Sequence, residues 1–175
     1  MKRTEEILIV DDKPANLKLL TQVLAGQGYR VRAAASGRHA LESVRASPPN
    51  LILLDIKMPD LNGYEVCETL KADALTCDIP VIFISALDDV QEKVRGFRVG
   101  GVDYITKPFQ VDEVLARVET HLGLRRLQKQ LQDNNQRMER ELQLAALTQA
   151  NFMPRELPEL DGWEISATLI PARET

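Results

Sequence analysis

The sequence predicts a doubly wound α/β fold, an open parallel sheet with helices on both faces. Three observations predict it. First, Ile7-Leu8-Ile9-Val10, Leu51-Ile52-Leu53-Leu54 and Val81-Ile82-Phe83-Ile84 are apolar at every position, as suits strands buried on both sides. Second, each run stops abruptly on a polar group: Asp11-Asp12, Asp55 and Ser85 respectively, and Val102–Thr106 stops likewise on Lys107-Pro108. Third, segments of helical spacing separate the runs, with Gly and Pro marking the breaks. Strand and helix in strict alternation specify a parallel sheet with right-handed crossovers.

The elements follow in order. After the first strand, Pro14 to about Ala25 carries Leu17, Leu20 and Leu24 at helical spacing, and Gly26 and Gly28 break it. Tyr29–Ala34 reads as the second strand. Ser36 is suited to cap a helix through Val44, with Ala40, Leu41 and Val44 facing inward. Pro48-Pro49-Asn50 stops the chain before the third strand. Leu61–Leu70 reads as the third helix, with Val66 and Leu70 on one face. Ile79-Pro80 opens the fourth strand. Asp88 or Asp89 caps a fourth helix to about Val99, which Gly100-Gly101 ends. The fifth strand follows, and a helix begins near Val111.

That last helix runs on. Val111 to about Ala150 contains no proline and only Gly123 as a weak point; about 40 residues of helix are roughly 60 Å long. Val111, Val114, Leu115 and Val118 are placed to pack on the sheet. Beyond them Leu124, Leu131, Met138 and Ala145 recur at seven-residue steps, with Leu127 and Asn134 between them. This is a two-stranded coiled-coil seam with one polar residue near its middle, a device that sets register. Leu142 falls one place beyond the expected Glu141, so the seam shifts locally near Met138. The chain is thus expected to divide into 1–122, a helical linker 123–150 and a terminal segment 151–175. In that segment Met153–Pro158 cannot be continuous helix, and Gly162–Pro171 reads as the start of a strand that belongs to a further domain.

Composition is that of an ordinary globular protein: 175 residues, 44% hydrophobic and 27% charged, with a formal net charge of −4. That charge argues against broad nucleic-acid binding. No apolar run approaches the ~20 residues that span a bilayer, and the N-terminus lacks a signal-peptide apolar region. A cytoplasmic protein with Cys67 and Cys77 reduced is expected. His39 and His121 stand isolated in the sequence.

In open parallel sheets the functional groups gather past the carboxyl ends of the strands. Asp11, Asp12, Asp55, Ser85 and Lys107 should therefore converge. Clustered carboxylates repel one another, and a hard divalent cation such as Mg²⁺ relieves that with few protein ligands plus waters and phosphate oxygens. A carboxylate can then act as nucleophile toward phosphorus. Lys107 and the Ser85 hydroxyl would hold phosphoryl oxygens, since phosphoryl transfer needs chiefly positioning and charge stabilisation.

Asp11-Asp12, the stretch Asp55-Ile56-Lys57-Met58-Pro59-Asp60-Leu61-Asn62-Gly63, Ser85-Ala86, and Tyr104 three residues before Lys107-Pro108 resemble the receiver domains of two-component response regulators over about 120 residues. The resemblance implies a flavodoxin-like (βα)5 sheet of strand order 2-1-3-4-5. It implies Asp55 as phosphoacceptor, and Mg²⁺ (with Mn²⁺ as an alternative) on Asp12, Asp55 and the Lys57 backbone carbonyl, with Asp11 acting through water. Ser85, Ala86 and Lys107 would bind the phosphoryl group; Ser85 and Tyr104 would be the paired switch residues. Met58, Pro59 and Gly63 would shape the loop, and Lys107-Pro108 would be a cis peptide. A sensor histidine kinase or phosphotransfer protein would be the donor.

The tail carries its own resemblance. Phe152–Ala167 and Ile170-Pro171-Ala172-Arg173 are similar to the opening of bacterial protein phosphatase 2C-like domains of the stress-response and sporulation kind. An anti-sigma-type phosphoprotein would be the substrate of such an output. The family's metal-binding Gly-Gly-Asp segment is absent from these 175 residues, so no phosphatase activity is expected of this chain itself.

Plainer readings stand beside these. Asp11 and Asp12 could cap the first helix ahead of Pro14, Ser85 could be a strand-end hydroxyl, and Tyr104 could be core packing. The Lys57 side chain reads as solvated. The seam Leu124, Leu127, Leu131, Asn134, Met138, Leu142 and Ala145 could cover the further domain instead of pairing two chains. The reading taken forward is a phosphorylation-controlled receiver with a dimeric helical linker to a phosphatase output. Its rival is a non-phosphorylated pseudo-receiver acting as a dimeric interaction scaffold.

Overall fold

In the computed structural model, residues 5–86, 90–152 and 162 are described. The elements alternate without exception: β1 (Glu6–Val10), α1 (Pro14–Gly26), β2 (Arg30–Ala34), α2 (Gly37–Ala46), β3 (Leu51–Asp55), α3 (Gly63–Ala72), β4 (Val81–Ser85), α4 (Val90–Arg98), β5 (Asp103–Thr106) and α5 (Val111–Phe152). The strands form one parallel sheet in the order β2-β1-β3-β4-β5, as expected. The chain divides into two compact units, Met1–Gln128 and Lys129–Thr175.

The uninterrupted apolar strands make sense once both faces are seen. Side chains alternate across a strand. Leu8, Val10, Ile52, Leu54, Val81 and Phe83 point to one face, where Ala40 and Val44 of α2 and Val66, Cys67 and Leu70 of α3 cover them. Ile7, Ile9, Leu51, Leu53, Ile82, Ile84 and Ile105 point to the other, beneath Leu20 and Leu24 of α1 and Val114, Val118 and Leu122 of α5. Each such side chain contributes about 1.5–3 kcal/mol on full burial.

Several boundaries differ from the sequence reading, each for a local reason. Helix α3 begins at Gly63, two residues after Leu61, because Asn62 and Glu65 form a capping box: the Asn62 side chain accepts from the Glu65 N–H and the Glu65 carboxylate accepts from the Asn62 N–H. Strand β2 begins at Arg30, although Tyr29 is buried in the core beside it. Strand β4 begins at Val81, since Pro80 has no N–H for the ladder; its carbonyl still accepts from Ile52 N–H at 3.0 Å. Ser36 caps α2 as expected, accepting from His39 N–H, but the helix runs two residues beyond Val44 to Ala46. Leu17, Leu41 and Leu115 are only partly buried at the core margins, and Val111 stays 40% exposed, because it opens α5 beyond the sheet edge. Gly123 leaves α5 unbroken. The proposed caps Asp88 and Asp89, and the tail strand within Gly162–Pro171 apart from Gly162, lie outside the described residues.

His121, isolated in sequence, is not isolated in space. Its Nε2 lies 3.0 Å from Asp103 Oδ2, and Arg117 Nη1 donates to Asp103 Oδ1 at 2.7 Å. Arg125 donates to the Pro49 and Asn50 carbonyls at 3.0 and 2.5 Å. These contacts seat the first turns of α5 against β5 and the turn before β3.

The two thiols are expected to react very differently. Cys67 is fully buried on the inner face of α3, and burial pushes its thiol up to about 11, whereas Cys77 is partly exposed. The thiolate is the reactive form, so iodoacetamide at about pH 8 should label the native chain once, at Cys77, with Cys67 labelled only after denaturation. Equal native rates, read by mass spectrometry, would contradict this packing.

Candidate functional site

The strand ends build the site. Asp55 is the last residue of β3 and is buried. Asp11, one residue past β1, is buried too, and Asp12 is half-buried. Carboxylate oxygens of Asp11, Asp12 and Asp55 all lie within 4.8 Å of one another. Lys107, one residue past β5, completes the group. Its Nζ donates to Asp11 Oδ2 at 2.8 Å and to Asp55 Oδ2 at 2.9 Å. Its N–H donates to the Ser85 carbonyl at 2.7 Å, so the amine is held at the height of the β4 terminus. The Lys107-Pro108 peptide is cis.

Electrostatics follow from this crowding. Burial raises the Asp55 carboxyl above the ordinary carboxylate range and the Asp11 charge adds to it, while Lys107 and the Lys57 N–H act in the opposite direction. Burial alone would lower the Lys107 amine, but its hydrogen bonds to Asp11 and Asp55 outweigh that and raise it. One cation thus faces three acids. Asp12 Oδ1 is buried with no hydrogen-bond partner, a costly arrangement unless a cation completes it. A hard cation fits this donor set: oxygen ligands only, one of them orphaned.

The loop after Asp55 is fixed from several directions. Lys57 N–H donates to Asp55 Oδ1 at 3.4 Å, while the Lys57 side chain is exposed, as read. Met58 is buried and Pro59 exposed. Gly63 N–H donates to the Ile56 carbonyl at 2.9 Å, and a Cβ at Gly63 would collide with the Asp55 carbonyl oxygen and Ile56 Cα. Only glycine allows α3 to start that close to the acid.

Two contributors escaped the sequence reading. Asn16, on the first turn of α1, donates to both Asp11 oxygens at 3.0 and 2.8 Å. Together with Lys13 N–H, which donates to Asp11 Oδ1 at 2.8 Å, it makes Asp11 a brace for the start of α1. The capping reading of Asp11 therefore holds in part, while Lys13 occupies the cap position itself. Asp60 accepts from Gly37 N–H and Arg38 N–H at the start of α2; the Arg38 and Leu61 N–H groups chiefly hold its carboxyl down to about 2. The signal for Asn16 was its place one turn into α1; for Asp60 there was none, because its partner helix is distant in sequence.

Ser85 is fully buried and Ala86 exposed. Tyr104 is buried opposite Phe83 in the β4–β5 ladder, and Ser85 lies opposite Thr106. The Tyr104 hydroxyl is buried without a hydrogen-bond partner.

A family model described as "Response regulator receiver domain" matches residues 7–119. A Vibrio cholerae protein named "Probable cyclic di-GMP phosphodiesterase" is 43% identical over 136 residues, which cover 78% of this chain and 31% of that protein. The "DNA-binding dual master transcriptional regulator RpaA" of Synechocystis is 43% identical over 116 residues, or 66% of this chain and 48% of that protein. The chain therefore spans from about a third to a half of these relatives' length. Among solved structures, a response regulator receiver domain protein from Methanospirillum hungatei is 29% identical with a TM-score of 0.68, covering 72% of this chain and 99% of that one. The receiver domain of a signal transduction histidine kinase from Syntrophus aciditrophicus is 34% identical with a TM-score of 0.65, covering 69% of this chain and 91% of that one.

The geometry yields two expected outcomes. Gly63→Ala should destabilise the fold by about 1–3 kcal/mol through overpacking, read as a lower urea midpoint; a neutral result would mean that the loop can shift away from Asp55. The second concerns pH. Folded Asp55 takes up its proton at higher pH than the unfolded chain does, so its ionised form costs stability, and the cost falls as pH drops toward its ordinary value. In chelator, Asp55→Asn should melt above wild type at neutral pH, and the gap should narrow as pH is lowered from neutral toward the ordinary carboxylate range. Parallel melting curves across that window would contradict it.

Proposed function

The chain belongs to the response regulator receiver family, and from that premise we propose that it takes a phosphoryl group onto Asp55 from a sensor histidine kinase or phosphotransfer protein. What carries the reading is the Lys107 amine between Asp55 and Asp11, with the orphaned Asp12 oxygen beside them. An Asp55 carboxylate oxygen attacks phosphorus, the bond from phosphorus to the donor breaks, and the donor leaves with that bond's electron pair. Lys107 follows the charge to a phosphoryl oxygen, and the Ser85 hydroxyl and Ala86 N–H hold others. Asp12, Asp55 and the Lys57 carbonyl would hold Mg²⁺ or Mn²⁺, with Asp11 beside them. The bound ion supplies charge neutralisation. Ser85 and Tyr104 then act as the paired switch, which biases a two-state equilibrium at α4 and β5.

The same reading divides the chain into a receiver (1–122), a helical linker (123–150) and the first edge of a phosphatase-like output (151–175), largely outside the described residues. The linker seam would pair two chains. Its support is that Leu124, Leu127, Leu131, Met138 and Leu142 are all 51–63% exposed on one helix, more apolar surface than an isolated polar helix accounts for. The output would act on a phosphoprotein of the anti-sigma kind. A location in the cytoplasm goes with a kinase donor, and no helix among the described residues is long and apolar enough to cross a membrane. The expectation of no nucleic-acid partner rests on net charge alone; a relative named as DNA-binding gives it no support.

Incubation with a small phosphodonor and Mg²⁺ should add one phosphoryl group by mass, and Asp55→Asn or excess chelator should abolish the addition. Equal labelling of wild type and Asp55→Asn would refute the assignment, and no uptake at all would favour the pseudo-receiver scaffold.

Sedimentation should find the whole chain dimeric, and a chain ending at Gln128, which keeps the Arg125 and Arg126 anchors, monomeric or far weaker. If both sediment as monomers, the seam covers another domain.

A further inference from the structure

The first turn of α4 is anchored by a contact outside the site just described. Tyr64, on α3, is buried. Its hydroxyl lies 2.9 Å from Glu92 Oε2 and 3.0 Å from the Glu92 carbonyl oxygen, and Glu92 is in the first turn of α4. One O–H proton serves both acceptors, and the carboxylate makes the bond charge-assisted. Arg95, one turn on, sits over the Tyr64 ring at 4.6 Å. Behind them the Tyr64 ring meets Phe83 edge-on at 5.3 Å, and Phe83 meets Tyr104 at 6.3 Å. A Cβ at Gly96 of α4 would lie 3.1 Å from Phe83 and 3.6 Å from Tyr64, so α4 rests directly on these rings.

The contact also borders the acidic site. One cavity of about 520 Å³ is lined by Asp12, Ile56 and Met58 together with Tyr64, Glu92 and Arg95. The chain that leads into α4 starts at Ser85-Ala86. A change at the site that displaced the start of α4 would have to break the Tyr64–Glu92 bond.

We propose that Tyr64 is a positioning residue whose hydroxyl latches the first turn of α4 onto α3, and that phosphoryl uptake at Asp55 works against this latch. The proposal rests on the phosphoacceptor reading for its trigger, but the latch exists without it. Burial and the Glu92 bond both raise the Tyr64 hydroxyl's pKa, so it stays a protonated donor. Losing one net hydrogen bond corresponds to about a three- to ten-fold change in an opening equilibrium.

Hydrogen exchange on the full chain tests it with Tyr64→Phe, which keeps the ring against Phe83 and Arg95 and deletes only the hydroxyl. In the unphosphorylated protein, exchange in 90–98 should quicken about five-fold while α1 and α2 are unchanged. On phosphorylation, wild type should show a rise in exchange over 90–98, and Tyr64→Phe should show little further rise. Glu92→Gln, which retains an acceptor, should fall between the two. Unchanged exchange over 90–98 in unphosphorylated Tyr64→Phe overturns the latch, as does faster exchange spread evenly over the whole sheet. An equal phosphorylation-dependent rise in wild type and Tyr64→Phe overturns its link to the site. Absence of any phosphoryl uptake by wild type overturns the trigger, and the unphosphorylated comparison still decides the latch.

Discussion

The carboxyl edge of the sheet is held together by one ammonium group between two buried carboxylates. Lys107 reaches Asp11 at 2.8 Å and Asp55 at 2.9 Å. Without it, two like charges would face each other in a low-dielectric site, and leaving them uncompensated costs about 3–5 kcal/mol. The bridge spans β1, β3 and β5, so it forms only if all the ladders between them are in register. The pairing of Ser85 with Thr106, followed by the Lys107 N–H bond to the Ser85 carbonyl, sets the amine's height. A slip of one residue would turn every strand side chain to the wrong face and carry the amine away from the acids.

The loop after Asp55 shows the same economy. The groups that start helices also fix the acid's surroundings. Asn62 and Glu65 cap α3, Asp60 caps α2 from across the loop, and Gly63 lets α3 begin against the Asp55 backbone. Asp11 is itself bound by Asn16 and Lys13 at the start of α1. By contrast α4 rests on aromatic rings and one tyrosine hydroxyl.

Much of the site could be read from the chain because the chemistry sits at strand ends. Asp55, Asp11, Asp12 and Lys107 each follow a recognisable apolar run, and the topology of a parallel sheet brings such positions together. The Met58-Pro59 and Gly63 spacing could be read only through the resemblance to receiver domains. Asn16 offers only its place one turn into a helix, and Asp60 offers no signal, since an Asp in a loop is ordinary until its partners are known. His121 seemed isolated because Asp103, its partner, is 18 residues away. The α3 boundary was misplaced because Leu61 is apolar and only partly buried against the core, and the capping box outweighs that apolar cue.

By itself the sequence determined the alternation of strand and helix, the two-sided burial of the central strands, the continuity of α5 and the identity of the converging acids. These follow from local patterns: consecutive apolar residues, helical spacing, and the absence of proline after Val111. Tertiary structure alone decided which oxygen of Asp12 is orphaned, that Lys107 bridges Asp11 as well as Asp55, and that Tyr64 holds α4 through Glu92. Each of these depends on distances between residues far apart in the chain, set by strand register and helix packing, and no local pattern encodes such distances.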